Sequence, residues 1–331
     1  MIVSLKPGTN AAAVKSALAR LGLWVERTSD ENGHVQFRVL EASAHADSQT
    51  LKAIASIEGV SALWQADSAH PRVDAQNGPV AVSGLALSRA NPMVIAGPCS
   101  VESEAQIEEI AAAAAALGVQ ILRGGAYKPR SSPYSFQGHG ERALSWLRRA
   151  ADRHGLRVVS EVLSESDISI TAELAHLLQI GSRNMQNFAL LRALGKTGRP
   201  ALLKRGAAAT LEEWLLAGEH LLSHGSPGVI FCERGIRGFD PSTRNLLDIG
   251  AVALLSHVHG QTVFVDPSHG AGRKDILLPM SKAALAAGAA GIMVEIHPQP
   301  GEALSDGPQA LSIEEFTHFM NELSQFTKPD R

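Results

Sequence analysis

The feature that most constrains this chain is a rhythm that begins at Met93. Eight short apolar runs follow one another: VIAGPC, GVQILRGG, LRVVSEV, LLQIGS, ALLKRG, VIFCERG, TVFVDPSHG and GIMVEIHP. Between them lie amphipathic or alanine-rich stretches such as SEAQIEEIAAAAAALG, ERALSWLRRAADRHG and TLEEWLLAGEHLLSHG, and SIEEFTHFMNELSQF closes the series. Apolar runs without alternation read as strands buried on both faces, and their interleaving with helices implies parallel pairing. Eight such units over residues 93–331 predict an α/β fold, a (β/α)8 TIM barrel. An open doubly wound sheet is the competing arrangement.

The polar residues say where the chemistry belongs. Each run is apolar until its end and then turns reactive, at Cys99, Arg123, Glu161, Arg183, Lys204, Arg234, His269 and Glu295. In a barrel those strand ends share one face, where the loops after the strands build active sites. Six cations converge there: Arg123, Lys128, Arg130, Arg183, Lys204 and Arg234. A single surface Arg or Lys is usually just solvated, but convergence from several strand ends implies an anionic ligand. Cations crowded in a low-dielectric cleft repel unless several negative charges fill it, which points to ligands carrying phosphate and carboxylate.

A second constellation at the same face is Cys99, His269, Glu295 and Asp306. Mixed sulfur, nitrogen and oxygen donors suit Mn, Fe, Co or Zn better than Mg or Ca. Cys99 stands past the apolar part of its run, after Gly97-Pro98, whereas Cys232 sits inside VIFCERG and reads as packing. His297, two residues beyond Glu295, is an even choice between a bystander and a residue supporting the ligands. Glu161 fits either orientation of a cation or acid–base work.

Residues 1–67 follow a different pattern, strand-helix-strand-strand-helix-strand, with an Asn10 cap candidate and a DENG hairpin signal. That order predicts a small ferredoxin-like α+β domain, and nothing in it clusters catalytic residue types. Residues 68–92, with His70-Pro71 and Asn77-Gly78-Pro79, read as a linker with room for a short strand. A net charge of -3 argues against a nucleic-acid partner. No run approaches the roughly 18 apolar residues of a membrane span, and two cysteines suit a reducing cytoplasm.

Taken together, IAGPCSVES, LRGGAYKPRSSPYSFQG, IGSRNMQN, LLKRG, CERGIRGF, VDPSHGAGR, MVEIHP and LSDGPQAL resemble the 3-deoxy-D-arabino-heptulosonate 7-phosphate (DAHP) synthases. The likeness is to the subgroup related to 3-deoxy-D-manno-octulosonate 8-phosphate (KDO8P) synthases that carries an N-terminal ferredoxin-like regulatory domain. It covers residues 93–315 by motif and the first 67 only by fold pattern. The resemblance implies a metal-dependent, aldol-type condensation of phosphoenolpyruvate with erythrose 4-phosphate, the first step of the shikimate pathway to aromatic amino acids. It implies a divalent metal on Cys99, His269, Glu295 and Asp306. Phosphoenolpyruvate would lie on Arg123, Lys128, Arg183, Lys204 and Arg234, and the aldose phosphate on Arg130 and Ser131. Lys128 would transfer a proton. A homotetramer and feedback by an aromatic amino acid are further family expectations.

The chain departs from the family pattern in places. Ser131 stands for the usual Thr and Ser182 for a common Ala, while Gly238 and Asp240 replace Thr and Glu after GIR. Two other readings compete. KDO8P synthase uses arabinose 5-phosphate on the same scaffold, but typically has Ala-Asn where this chain has Pro129 alone. A catalytically dead sensor of phosphorylated metabolites would be expected to have lost a metal ligand, and all four are present.

Overall fold

Both rhythms are visible in the computed structural model, which describes the chain except residues 30–32, 41–42, 44–45, 65–67, 77, 129–131, 133 and 328–331, and gives backbone alone at 48 and 325–327. The chain divides into two compact units, Met1–Ala69 and His70–Arg331.

The first unit runs β1 (Ile2–Leu5), α1 (Ala11–Arg20), β2 (Val25–Ser29), β3 (Val35–Val39), α2 (Ser48–Ala55) and β4 (Val60–Trp64). Its sheet has the order β2-β3-β1-β4 with every pairing antiparallel, the ferredoxin-like arrangement. Asn10 starts α1 by accepting the Ala12 and Ala13 amides at 3.1 and 3.2 Å, as an N-cap should. Val3, Leu5, Val14, Leu18, Phe37 and Ile54 bury one face of the sheet against the helices. Of the DENG hairpin signal only Gly33 is described, and it has the positive φ, +79°, that such a turn needs.

The second unit opens with α3 (Pro71–Ala75) and a tight hairpin of β5 (Val80–Val82) and β6 (Leu85–Leu87). From His70 onward, the stretch expected as a linker over 68–92 therefore belongs to the barrel unit. Val80, Val82 and Leu87 pack on Ile95, Leu202, Ile230 and Phe264 inside the barrel. Arg157, Val229 and Thr262, at or just before strand starts, bond Ser83, Gln76 and Leu87. The hairpin thus caps the N-terminal end of the barrel.

The barrel itself consists of β7 (Met93–Gly97), α4 (Glu104–Ala116), β8 (Ile121–Arg123), α5 (Glu141–Arg153), β9 (Arg157–Val162), α6 (Ile168–Leu174), β10 (Leu177–Ile180), α7 (Phe188–Gly195), β11 (Ala201–Lys204), α8 (Leu211–Ser223) and β12 (Val229–Glu233). It continues with α9 (Ile249–Ala253), β13 (Val263–Val265), α10 (Pro267–Ala271), α11 (Leu277–Ala286), β14 (Gly291–Glu295) and α12 (Ile313–Thr327). The eight strands β7 to β14 close on one another in parallel, so the open doubly wound sheet is not adopted.

Side chains alternate between the two faces of each strand with period two. One set, including Ala96, Leu122, Val158, Leu178, Leu203, Phe231, Val265 and Val294, packs outward on the helices. The other set, Ile95, Ile121, Val159, Leu177, Leu202, Ile230, Phe264 and Met293, fills the barrel with an apolar layer. Two residues further along the same inward face stand Arg123, Glu161, Gln179, Lys204, Asp266 and Glu295. The polar floor of the site is therefore the next interior layer above the apolar one.

Candidate active site at the C-terminal mouth

Close backbone approaches bring the first loops together. Gly97 has a φ of +152°, and a Cβ there would lie 1.9 Å from the Arg123 carbonyl oxygen. A Cβ on Gly125 would lie 2.5 Å from the Cys99 carbonyl oxygen. The glycines of GPC and RGG thus let the β7 and β8 ends touch, which seats Cys99 beside Lys128. Lys128 Nζ donates to the carbonyl oxygen and to Sγ of Cys99, each at 2.9 Å.

His269 rides on α10, whose first turn is capped by Asp266 accepting the His269 amide at 3.0 Å. The same carboxylate holds His269 Nδ1 at 2.7 Å, leaving Nε2 to face Glu295 Oε1 at 3.3 Å and Asp306 Oδ2 at 3.9 Å. Cys99 Sγ donates to Asp306 Oδ2 at 3.1 Å. One donor atom from each of Cys99, His269, Glu295 and Asp306 lies within 4.8 Å of all the others. The structure thus gathers all four residues expected to ligate a metal, Glu295 from the end of β14 and the others from the segments after β7, β13 and β14.

The electrostatics of this group follow from burial and close charge. Burial, reinforced by Glu295, pushes the Cys99 thiol up to about 12, with Lys128 and Arg123 pulling the other way. Burial also opposes ionisation of Asp306, but the Cys99 hydrogen bond, His269, Arg244 and Lys128 outweigh it and bring the carboxyl down to about 2. Glu295 is fully enclosed, yet His269 and Arg123 hold its carboxyl below the usual range. Asp266, equally enclosed, is held well below its ordinary value by His269 and Lys204. Glu295 and Asp266 are buried carboxylates held toward the charged form by cationic partners.

A cleft of about 650 Å³ opens beside the group. Arg123, Lys128, Arg183, Lys204 and Arg234 all line it, as does Glu161. Their surroundings differ. Arg123 is paired with Glu295 at 2.5 Å and Lys204 with Asp266, both fully buried carboxylates. Among the described residues Arg234 makes a single long bond, 3.5 Å, to the Gly235 carbonyl, and burial lowers its pKa. Glu161 accepts from Gln179 at 3.1 Å. Arg130, Ser131 and Pro129 lie outside the described residues.

Several residues of the site were not singled out from sequence. Asp266 joins Lys204 to His269, and the period-two count from Phe264 would have found it. Gln179 follows from Leu177 by the same count. Arg237 and Arg244 add cations to the cleft, and Gln309 donates to Glu295 Oε2 at 2.5 Å. Arg205, next to Lys204, points the other way: it binds Glu233 at 3.0 Å and Asp248 at 2.9 Å, bracing the loop that carries Arg234. Cys232 lies in the apolar interior, and burial pushes its thiol up to about 12.

The donor set fits a divalent transition ion. Bonds of about 2.0–2.3 Å suit a thiolate, an imidazole and carboxylates gathered this closely, and the Lys128 ammonium would stabilise the ionised sulfur.

The fold agrees with what known proteins show. Residues 82–329 match the family model described as the DAHP synthetase I family. A phospho-2-dehydro-3-deoxyheptonate aldolase of Thermotoga maritima is 51% identical over 232 residues, 70% of this chain and 69% of that one. A crystal structure of DAHP synthase from Thermotoga maritima superposes with a TM-score of 0.76 and 38% identity, covering 98% of this chain and 96% of the other. A 2-dehydro-3-deoxyphosphooctonate aldolase of Rhodopseudomonas palustris is 31% identical over 268 residues, 75% of this chain and 92% of its own. With the closed barrel, the family match over most of the chain and these identities together, the chain belongs to the DAHP synthetase I family, the 3-deoxy-7-phosphoheptulonate synthases.

Proposed function

We propose that the chain condenses phosphoenolpyruvate with erythrose 4-phosphate to give DAHP and inorganic phosphate, and so opens the shikimate route to aromatic amino acids in the cytoplasm. The observation that carries this reading is one cleft in which, among the described residues, seven Arg and Lys side chains adjoin the Cys-His-Glu-Asp group. A divalent metal, Mn, Fe, Co or Zn, would be held by Cys99, His269, Glu295 and Asp306. When bound it supplies Lewis acidity toward the aldehyde carbonyl.

The protein's own residues position and neutralise. Arg183, Arg234, Lys204 and Arg123 grip the phosphate and carboxylate of phosphoenolpyruvate, with Arg123 and Lys204 held in place by Glu295 and Asp266. Fixed donors of this kind stabilise charge without reorganising during the reaction. Arg130 and Ser131 hold the phosphate of the aldose. Bringing C3 of phosphoenolpyruvate against the aldehyde carbon supplies proximity, worth up to about 7–11 kcal/mol in well-oriented systems. As that bond forms, Lys128 Nζ gives a proton to the aldehyde oxygen. Glu161 orients the cationic wall and the water that adds at C2 before phosphate departs. The N-terminal unit, which carries none of these groups, is a regulatory domain for an aromatic amino acid in a homotetramer.

The test is turnover of the purified protein with the two aldoses. Faster reaction with erythrose 4-phosphate is expected, because Pro129 shortens the loop between Lys128 and Arg130. Faster reaction with arabinose 5-phosphate would reassign the chain to KDO8P synthesis, and no reaction with either would favour a sensor.

A further inference from the structure

We propose that Glu102 is a positioning residue that fixes the spacing of Cys99 and Asp306, and so sets the affinity of the divalent-metal site. The inference rests on the metal reading above and asks how two ligands 207 positions apart come to lie 3.1 Å from one another.

Glu102 lies three residues past Cys99, between β7 and α4, and its side chain is only 12% exposed. Its back is fixed to the first turn of α4. The Glu102 amide donates to Gln106 Oε1 at 2.9 Å, and Gln106 Nε2 donates to the Ser100 carbonyl at 3.3 Å. Its carboxylate reaches the loop after β14. Oε1 accepts the Leu304 amide at 2.9 Å and the Ser100 hydroxyl at 3.2 Å, while Oε2 faces His297 Nε2 at 3.4 Å. A second tie runs beside it, Ser100 Oγ to Ser305 Oγ at 2.7 Å. Both ties start on the loop that carries Cys99. Both end on the two residues just before Asp306.

That placement matters because Asp306 is in the left-handed region, with φ +52° and ψ +29°. A non-glycine residue is uncommon there and persists where its surroundings hold it. Leu304 and Ser305, both held from the Cys99 loop, provide that support.

The acceptor must be a carboxylate. His297 Nδ1 accepts the Gln299 amide at 3.1 Å, so the ring proton sits on Nε2 and points at Glu102. Glu102 therefore faces donors on every side: an amide, a hydroxyl and an imidazole N–H. A glutamine of the same shape has to turn its own N–H toward one of them, and one tie opens.

The test uses the full-length protein, stripped of metal and titrated with Co(II) alone. Affinity is read by chelator competition, and the thiolate-to-cobalt absorption reports the Cys99 bond. Glu102→Gln and Ser305→Ala are each expected to weaken Co(II) binding about 10–100-fold, as loss of supporting contacts to metal ligands does, and to diminish the thiolate band. Phosphoenolpyruvate binding measured without metal is expected to stay as in the wild type, since Glu102 touches none of the cationic wall. Wild-type Co(II) affinity and an unchanged band in both variants would overturn the proposal. If Glu102→Gln does not fold, Ser305→Ala decides alone, because it removes one tie and leaves the carboxylate. A wild-type protein without any thiolate band would overturn the metal reading and the positioning role with it.

Discussion

The two ends of the barrel are made from the same eight strands and solve opposite problems. At the N-terminal end the β5–β6 hairpin presses Val80, Val82 and Leu87 onto the interior apolar layer, and the closure is a matter of packing. At the C-terminal end, two residues further along the same inward face, buried carboxylates meet buried cations: Glu295 with Arg123, Asp266 with Lys204. Apolar closure is cheap and adaptable. Buried ions are tolerated only in full partnership, so removing one partner leaves a stranded charge. The two cysteines repeat the contrast. Both thiols are pushed up to about 12 by burial, yet Cys232 packs among apolar side chains of the barrel interior while Cys99 touches Lys128 and Asp306.

This contrast is open to direct challenge. The largest effect is expected at the charged end. Cys99→Ala or His269→Ala should lower turnover by roughly 10³-fold, the several kcal/mol that a Lewis acid contributes, and dialysis against a chelator should do the same until metal is restored. Steady-state kinetics with added Mn(II) or Zn(II) checks both; full activity in either variant breaks the assignment. At the packed end, Leu87→Ala should cost about 2–5 kcal/mol of stability through the cavity it leaves, with Co(II) affinity unchanged. A thermal melt alongside a metal titration separates the two readouts, and a loss of metal binding there would mean the ends are not independent. Asp266→Asn should weaken metal binding about 10–100-fold by loosening His269, measured by chelator competition; unaltered affinity removes Asp266 from the site. Cys232→Ala should be mildest, within about 1–2 kcal/mol of stability and without effect on turnover, so that any kinetic defect would sink its reading as packing.

Much of this was legible in the sequence because parallel strands are buried on both faces and read as apolar runs. Their polar ends marked the mouth, and the loops did bring Cys99, His269, Glu295 and Asp306 together. What escaped has specific causes. The hairpin strands Val80–Val82 and Leu85–Leu87 are three residues each, too short to carry a period, so they passed for a linker. Asp266 sits between an apolar run and a histidine and was overshadowed by its neighbour. Arg205 adjoins Lys204 but belongs to the outward face, and only the strand's alternation tells them apart. Glu102 has no local signature, since Leu304 and His297 lie about two hundred residues away in sequence.

One carboxylate links what function would treat as two sites. Asp266 is bonded at once to Lys204, in the anion cleft, and to His269, in the metal group. An anion that draws on Lys204 and a cation that draws on His269 therefore compete for, or release, the same partner. By reciprocity, whatever factor the anion imposes on cation affinity, the cation must impose on the anion. Part of the coupling between cleft and ligand group is then a property of this side chain, and a thermodynamic cycle closed with and without Asp266 would measure that part.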